Sequence, residues 1–516
     1  MSYLMGIDVG TTGTRAVIVR PDGHVMKAAT GDHQPMRMAR PGWAEQDPAD
    51  WWQATIAAVR AALSQAQLSG SDIDAIGLSG QMHGVVLLDK SNAVLRPSLI
   101  WCDQRSQAQC DWITSRVGAE RLIQLVSNPA LTGFSAPKIL WVRDHEPEIF
   151  ERAAHFLLPK DFVRFKLTGE FATDVSDASG TLLFDVTHRR WSVEMQAALG
   201  IDGNLLPRAY ESPEVTGEIS REVALITGLK AGTPVVAGGG DQASSAVGNG
   251  IVSRGLTSAT LGTSGVIFAY TDSPKLDPKG RIHTFCHAVP GKWHVMGVTQ
   301  GAGLSLRWFR DQLGAVETWY AREAGSDPYD LIIKQAERVR PGSDGLLFLP
   351  YLMGERTPHL DARARGMWFG LTAAHTRGHL IRSILEGVAF SLRDSYEIFR
   401  ELDIPVTQIR ASAGGSRSPL WRQIQADIYG KELVTLRESE GSAFGAALLA
   451  GVGSKIYASV EESARRAIEI RERTQPDAAN VALYEQLYGV YRDVYPAVRG
   501  LAHRLADVAE LSHQEQ

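Results

Sequence analysis

The sequence contains little cysteine: among its 516 residues only Cys102, Cys110 and Cys286 carry a thiol. The number is odd, and the spacing matches no metal-binding cysteine motif. This excludes a disulfide scaffold and gives no indication of a structural zinc. The low and odd number of cysteines predicts reduced thiols in a cytoplasmic compartment.

Long apolar runs and blocks of one charge are also absent. No run reaches 18 apolar residues, and the chain starts directly with a strand, so we expect neither a membrane span nor a signal peptide. The 53 basic and 58 acidic residues leave a net charge of −5 without a basic block or acidic tail. We therefore expect no nucleic-acid or membrane partner, and small-molecule chemistry becomes the default interpretation.

Strands alternate with helices along the whole chain, which predicts an α/β protein. Apolar strands are expected at residues 4–9, 15–20, 74–79, 257–261 and 408–413, with helices between and after them. Because the length exceeds one hydrophobic core, we expect two large domains.

The most informative segment is residues 5–14, M-G-I-D-V-G-T-T-G-T. A buried strand ends near Asp8, and Gly10 and Gly13 permit a tight hairpin into the next strand. Bare backbone amides at Thr11, Thr12 and Gly13 would suit a phosphate, and one carboxylate beside them would suit Mg²⁺, which keeps most of its waters. The alternative is that Asp8 merely caps a hairpin.

A similar element recurs in the second half of the chain, at residues 257–268, T-S-A-T-L-G-T-S-G-V-I-F, with Gly262 and Thr263 in its turn. The repetition predicts a duplicated fold, whose halves we place at residues 1–248 and 249–516. Common turn composition is the alternative explanation.

A third glycine-rich segment, residues 235–243, V-V-A-G-G-G-D-Q-A, runs from a strand into the expected start of a helix. Its loose G-x-G-x-x-A pattern fits dinucleotide binding, but no acidic residue lies between Gln242 and Tyr270 to bind a ribose. In a kinase, a carboxylate at such a position would orient or accept the proton of the attacking hydroxyl. Asp241 is therefore either a general base or an N-cap that serves only stability.

Residues 412–418, S-A-G-G-S-R-S, also connect a strand to a helix. Gly414 and Gly415 could give a flat base or ribose access to the main chain, although the segment could equally be an ordinary turn. The chain has no G-x-x-x-x-G-K-[ST] sequence and no H-R-D or D-F-G set, which excludes the P-loop and protein-kinase modes of ATP binding.

Two longer patterns resemble the signatures of the FGGY family of sugar kinases. Residues 133–144 read G-x-S-x-x-K-I-x-W-V-x-D, and residues 366–386 read G-x-W-x-G-L, seven further residues and H-L-x-x-S-I-L-E. The stretches S-G-Q-M-H-G at 79–84 and E-Q-D-P at 45–48 resemble the family members that phosphorylate D-xylulose.

The resemblance implies two actin-like (ribonuclease-H-like) ATPase domains with a cleft between them, an N-terminal sugar-binding domain and a C-terminal nucleotide-binding domain. It implies Asp241 as the catalytic base toward D-xylulose, with Met82, His83 and Gln242 around the sugar. Some related enzymes have Asn at the position of Gln242, which leaves the fit of the sugar open, and His83 alone would be taken for a core histidine. For Mg²⁺ and ATP the resemblance implies a larger set: Asp8 at the metal, and Thr11, Thr12, Gly13, Gly262, Thr263, Gly303, Gly414 and Gly415 at the nucleotide.

Three other functions stay open. A kinase for ribulose or arabinitol would share the phosphate-handling residues, a non-catalytic sugar sensor would be expected to lose Asp241 or the first hairpin, and a chaperone or filament ATPase should lack both signatures. By analogy with the family we expect a homodimer.

Overall fold

A computed structural model describes residues 2–438 and 440–514. Contacts within the chain divide it into two compact units, and each is built from three separate segments. Unit 1 comprises residues 1–253, 270–295 and 440–469, and unit 2 comprises 254–269, 296–439 and 470–516. Each unit therefore includes residues that are distant in sequence.

The longest strands, of seven or eight residues, all belong to two large sheets. In chain order, the strands up to residue 253 are β1 Tyr3–Val9, β2 Gly13–Val19, β3 Val25–Asp32, β4 Glu45–Gln46, β5 Ile73–Gly80, β6 Val86–Leu88, β7 Ser98–Leu99, β8 His155–Leu157, β9 Ala172–Asp174, β10 Phe184–Asp185, β11 Arg190–Trp191, β12 Arg208–Tyr210, β13 Val215–Glu218, β14 Pro234–Val236 and β15 Gly239–Gly240. Those that follow are β16 Gly255–Leu261, β17 Gly265–Thr271, β18 His283–Cys286, β19 Trp293–Thr299, β20 Leu347–Leu349, β21 Met367–Phe369, β22 Val406–Ser412, β23 Glu432–Leu436 and β24 Ile470–Thr474.

The helices alternate with these strands, as the sequence predicted. Up to residue 253 they are α1 Pro48–Ala66, α2 Gln107–Val117, α3 Ala119–Val126, α4 Ser135–His145, α5 Pro147–Arg152, α6 Pro159–Thr168, α7 Val175–Ala178, α8 Val193–Leu199, α9 Arg221–Thr227 and α10 Asp241–Gly248. The remainder are α11 Gly303–Leu313, α12 Ala315–Ala324, α13 Pro328–Ala336, α14 Arg377–Glu401, α15 Pro419–Tyr429, α16 Gly441–Gly453, α17 Val460–Ala467 and α18 Ala478–Gln514. Short 3₁₀ turns follow α7 and β22, at Ser179–Thr181 and Gly414–Ser416.

The main sheet of unit 1 has the order β13-β14-β5-β1-β2-β3, and β15 also pairs with β5. β1 and β2 form the expected antiparallel hairpin, while β5 runs parallel to β1. Apolar side chains from β1, β5 and α1 fill the core beside this sheet. Asp47 caps α1 and Pro48 is its first residue, an arrangement typical of an Asp-Pro pair at a helix start.

Helix α16 crosses the same sheet at very short range. A Cβ atom added to Gly6 would lie 1.8 Å from the carbonyl oxygen of Ala443, and one added to Gly77 would lie 2.0 Å from that of Ala446. Only glycine therefore permits this approach of a buried helix to the sheet. The contact brings the start of α16 to the carboxyl end of β1.

The second large sheet has the order β18-β19-β17-β16-β22-β23-β24, and unit 2 contains β16, β22, β23, β24 and parts of β17 and β19. β16 is antiparallel to β17 and parallel to β22, which is parallel to β23. The order β2-β1-β5-β14 of the first sheet thus recurs as β17-β16-β22-β23, and in both the first two strands form an antiparallel hairpin. This repetition confirms the duplicated α/β fold.

Among residues 2–438 and 440–514, no helix has the length and apolar character that a membrane span requires.

Candidate active site

Asp241 is the first residue of α10 and directly follows the short strand β15. The N-cap of α10 is Gly240, and no side chain caps this helix. The carboxylate of Asp241 therefore lies one residue further into the helix than the N-cap. Asp241 and its neighbour Gln242 are both half-buried.

Asp8 and Asp241 are brought together by β5. Asp8 on β1 and Gly239 on β15 both pair with Ser79 of β5, from its two sides. Neighbouring strands lie about 4.8 Å apart, so the two flanking backbones are separated by about 10 Å. Burial, and second to it the charge of Asp8, raise the pKa of Asp241 to about 7.

The carboxylate of Asp8 is incompletely hydrogen-bonded. Ser442 Oγ, at the start of α16, donates to Asp8 Oδ2 over 3.2 Å. Asp8 Oδ1 is buried without a hydrogen-bond partner among the described residues. Burial raises the pKa of Asp8, while the nearby hydroxyls of Ser79 and Ser442 and the charge of Arg15 oppose this shift. An unpartnered buried carboxylate oxygen fits a cation or its bound water, so the residues present are compatible with Mg²⁺.

Thr11, Thr12 and Gly13 form the turn between β1 and β2, which we call the phosphate hairpin together with Gly10. All four carbonyl oxygens of this hairpin accept hydrogen bonds from elsewhere in unit 1 or from the turn itself. The donors are Gln81 Nε2 to Gly10 O, 3.2 Å, Gln46 Nε2 to Thr11 O, 2.7 Å, His33 N to Thr12 O, 3.0 Å, and Gly10 N to Gly13 O, 3.0 Å. The carbonyls are therefore turned toward protein donors.

Met82 and His83 follow β5 after Gln81, and Met82 lies close to Gly240, the residue before Asp241. A Cβ atom added to Gly240 would lie 2.9 Å from Met82 Cγ, and one added to Gly180 would lie 2.6 Å from His83 Nδ1. His83 Nδ1 is 2.7 Å from the carbonyl oxygen of Gly180, and its ring is half-buried. The structure thus places Met82 against Gly240 and His83 against Gly180, all within unit 1.

Lys138 supports this group, and sequence reasoning assigned it no role although it belongs to the first signature. Its buried ammonium donates to the carbonyl oxygens of Gly133, 2.5 Å, and His83, 3.2 Å. Burial lowers the pKa of Lys138 to about 7. The lysine fixes the main chain at His83 and contacts no proposed phosphate ligand.

A second buried lysine, Lys160, lies within a cluster of aspartates in unit 1. Lys160 Nζ contacts Asp161 at 2.5 Å, Asp174 at 2.9 Å and Asp177 at 3.5 Å, and all four side chains are fully buried. Ser176 connects this cluster to β15: its hydroxyl donates to Asp174 Oδ2 over 2.5 Å and accepts from Gly240 N over 3.1 Å. No local pattern signals this connection, because Ser176 and Gly240 are 64 residues apart.

The predicted nucleotide residues of the second half form one pocket in unit 2. Gly262, Thr263, Gly303, Gly414 and Gly415 all line a cavity of about 500 Å³. The N–H of Gly303 donates to Gly262 O over 2.8 Å, and that of Leu304 donates to Thr263 O over 3.0 Å. These bonds join the start of α11 to the turn between β16 and β17.

The sequence analysis did not identify the part of the pocket lining that comes from α13. Tyr329, Asp330, Ile333 and Lys334 line it, and Arg417 adds a cation beside the glycines. α13 has no glycine motif and reads as an ordinary amphipathic helix, so no local signal marked it. Its Tyr329 ring lies 5.0 Å from the guanidinium of Arg310.

The repeated sheet, the carboxylate at the end of its first strand and the glycine-lined pocket define a two-domain α/β phosphotransferase for small molecules. Two family descriptions match the chain: the N-terminal domain of the FGGY family of carbohydrate kinases over residues 3–248, and the C-terminal domain over residues 257–454. The protein belongs to this family and is a carbohydrate kinase, an enzyme class that uses ATP.

Individual relatives cover nearly the whole chain. A xylulose kinase of Bacillus subtilis (strain 168) is 40% identical over 501 residues, 97% of this chain and 98% of the relative. A gluconokinase of the same organism is 35% identical over 450 residues, 87% of each chain. Among solved structures, a xylulose kinase from Rhodospirillum rubrum superposes with a TM-score of 0.89 at 31% identity, covering 97% of this chain and all of that one.

Proposed function

We propose that this protein transfers the γ-phosphoryl group of ATP to the 5-hydroxyl of D-xylulose, giving D-xylulose 5-phosphate and ADP. Similarity to xylulose kinases supports the choice of sugar. The observation that carries the proposal is the carboxylate of Asp241, which has a pKa of about 7 and directly follows Gly240, against which Met82 packs. A base with a pKa near neutrality combines an available ionised form with useful proton affinity.

In this proposal Asp241 accepts the proton of the 5-hydroxyl as its oxygen forms the bond to the γ-phosphorus. The bond from phosphorus to the β,γ-bridging oxygen breaks, and ADP leaves. Met82 and His83 line the sugar, and Gln242, adjacent to the base, binds a sugar hydroxyl. Positioning and charge stabilisation supply most of the catalysis in phosphoryl transfer, so these contacts orient the hydroxyl for in-line attack.

We assign ATP to two groups of residues. The pocket of unit 2, with Gly262, Thr263, Gly303, Gly414 and Gly415, binds the nucleotide through close main-chain approach. Thr11, Thr12 and Gly13 of the phosphate hairpin bind the γ-phosphate through backbone N–H groups, which suit an anion.

Asp8 holds Mg²⁺, directly or through water, with Ser442 beside it. The bound ion supplies positive charge that neutralises charge on the phosphates. Oδ1 of Asp8 is the atom available for this role, because Oδ2 already accepts from Ser442.

Ribulose, arabinitol and gluconate are the competing acceptors, the last because a gluconokinase is 35% identical to this chain. The residues assigned to ATP would serve any of them. Discrimination therefore depends on the contacts around Met82, His83 and Gln242.

The test is an ADP-release assay with D-xylulose, D-ribulose, D-arabinitol and D-gluconate, with the phosphorylated product identified by mass. We expect the highest kcat/KM for D-xylulose and slow ATP hydrolysis without sugar. A higher kcat/KM for another acceptor would reassign the substrate, and no transfer to any of the four would overturn the proposed reaction.

We also propose that the chain forms a homodimer in the cytoplasm and that its family domains divide near residues 248 and 249. Three cysteines without a disulfide are consistent with a reducing compartment. Light scattering of the purified protein would determine the oligomeric state.

A further inference from the structure

Two buried glutamines contact the phosphate hairpin from behind. Gln46 and Gln81 expose only 5% and 2% of their surface. Gln81 Nε2 donates to Gly10 O over 3.2 Å and to Gln46 Oε1 over 2.9 Å, and Gln46 Nε2 donates to Thr11 O over 2.7 Å. The two amides therefore form one connected pair beneath the turn.

The orientation of each amide group is determined by its partners. Backbone carbonyl oxygens only accept hydrogen bonds, so Nε2 must face Gly10 O and Thr11 O. Trp51 Nε1, which only donates, lies 3.2 Å from Gln46 Oε1 and fixes that end of the amide as an acceptor. Exchange of O and N in either amide would place two acceptors against each other.

These bonds also determine where the hairpin N–H groups point. In a planar trans peptide, the C=O of one residue and the N–H of the next lie on opposite sides. Gln81 holds Gly10 O and thereby directs Thr11 N–H to the side opposite Gln81, and Gln46 does the same for Thr12 N–H through Thr11 O. The main chain of His33 acts in this way on Gly13 N–H through Thr12 O.

From this geometry we infer that Gln46 and Gln81 are positioning residues, which hold the N–H groups of Thr11 and Thr12 toward the γ-phosphate of bound ATP. The inference rests on the proposed assignment of the hairpin to ATP. Without the glutamines, the two peptide units can rotate and present carbonyl oxygens, whose partial negative charge repels phosphate. Neither glutamine touches the reacting atoms in this role.

The test compares two nucleotides that differ in the γ-phosphate. Calorimetry with Mg²⁺ and either AMP-PNP or ADP is carried out on full-length Gln46→Met and Gln81→Met, in which a side chain of similar length lacks the amide. We expect AMP-PNP to bind about tenfold more weakly, the cost of an unpaired buried carbonyl. ADP affinity should stay within about twofold, because ADP has no γ-phosphate for the hairpin to bind.

Gln109→Met is the matched control. Gln109 is a buried glutamine of the same unit whose Nε2 donates to Asp144 over 3.0 Å, and it does not contact the hairpin. We expect it to bind both nucleotides as the unmodified protein does. An equal loss for AMP-PNP and ADP, the same loss in Gln109→Met, or unchanged AMP-PNP binding in either folded glutamine variant would overturn the inference.

Two positions are tested because one substitution could prevent folding, and thermal melting is recorded first for each variant. The measurement requires no sugar, so it can fail while transfer to D-xylulose succeeds. Conversely, if the enzyme phosphorylates a different sugar, the expected AMP-PNP result stays the same.

Discussion

Burial, and second to it the negative charge of Asp8, raise the pKa of Asp241 to about 7. The two carboxylates belong to strands and helices that flank the same residue of β5, Ser79. The arrangement gives Asp241 more proton affinity than an ordinary aspartate has, which suits a group that must take a proton from an alcohol.

The first prediction concerns pH. Asp241 acts as a base only when it is ionised, so kcat/KM for the sugar should rise as the pH increases through about 7 and fall below it. The measurement is a profile from pH 5 to 9 at saturating Mg²⁺ and ATP. A profile that is flat between pH 6 and 8 would contradict the assignment.

Asparagine at position 241 keeps the size of the aspartate side chain but cannot accept the proton of the sugar hydroxyl. For Asp241→Asn we expect kcat to fall by about 10²- to 10⁴-fold, the usual contribution of general base catalysis. Nucleotide affinity should change little, because the pocket of about 500 Å³ is formed by unit 2. Asp111→Asn, at a residue whose side chain contacts Gln107 on the surface, serves as the control. Sugar phosphorylation at the normal rate in Asp241→Asn would rule out this residue as the base.

Asp8→Ala tests the metal assignment. The change removes the oxygen that lacks a partner, Oδ1, so the Mg²⁺ concentration required for half-maximal activity should increase at least tenfold. Asp74→Ala is a suitable comparison, since Asp74 accepts from the N–H of Tyr3 at the opposite end of β1. An identical Mg²⁺ requirement in the Asp8 and Asp74 variants would count against the assignment.

Most of the fold could be predicted from the sequence because its signals are local. The hairpin glycines, the alternation of strands with helices and the Asp47-Pro48 start of α1 each depend on a few consecutive residues. The same holds for Asp241 at the start of α10, although the cap itself belongs to Gly240. The N-cap and the first helical residue are adjacent positions, and a difference of one residue lies within the usual uncertainty of helix ends.

What the sequence could not reveal depends on contacts between distant residues. Ser442 reaches Asp8 across 434 positions, and Gln46 reaches Thr11 across 35. The close packing of α16 on β1 requires Gly6 opposite Ala443, yet neither residue alone identifies its partner. The wall formed by α13 likewise depends on tertiary packing and has no characteristic residue pattern.

The nucleotide pocket can be tested with one methyl group. A Cβ atom at Gly303 would lie 2.4 Å from Gly262 O, so Gly303→Ala must disturb the hydrogen bond between these residues. We expect KM for ATP to increase about tenfold, a typical effect of overpacking and a lost hydrogen bond, with KM for sugar unchanged. Gly489→Ala is the control, because a Cβ atom there would meet nothing within 4 Å. Equal changes in both KM values would show that the pocket is not specific to the nucleotide.

The last prediction concerns Ser176, which connects the buried Lys160 cluster to the residue before the base. In Ser176→Ala the N–H of Gly240 loses its acceptor and Asp174 loses a donor, so the peptide before Gly240 loses one of the contacts that position Asp241. We expect kcat to fall about tenfold at an unchanged KM for ATP, because small displacements of a catalytic group are costly. Ser179→Ala provides the control, since Ser179 is a buried serine close by that accepts from Cys286 N and donates to Val175 O. Both variants should lose thermal stability, but only Ser176→Ala should lose kcat. A similar loss of kcat in the two variants would instead assign Ser176 a purely structural role.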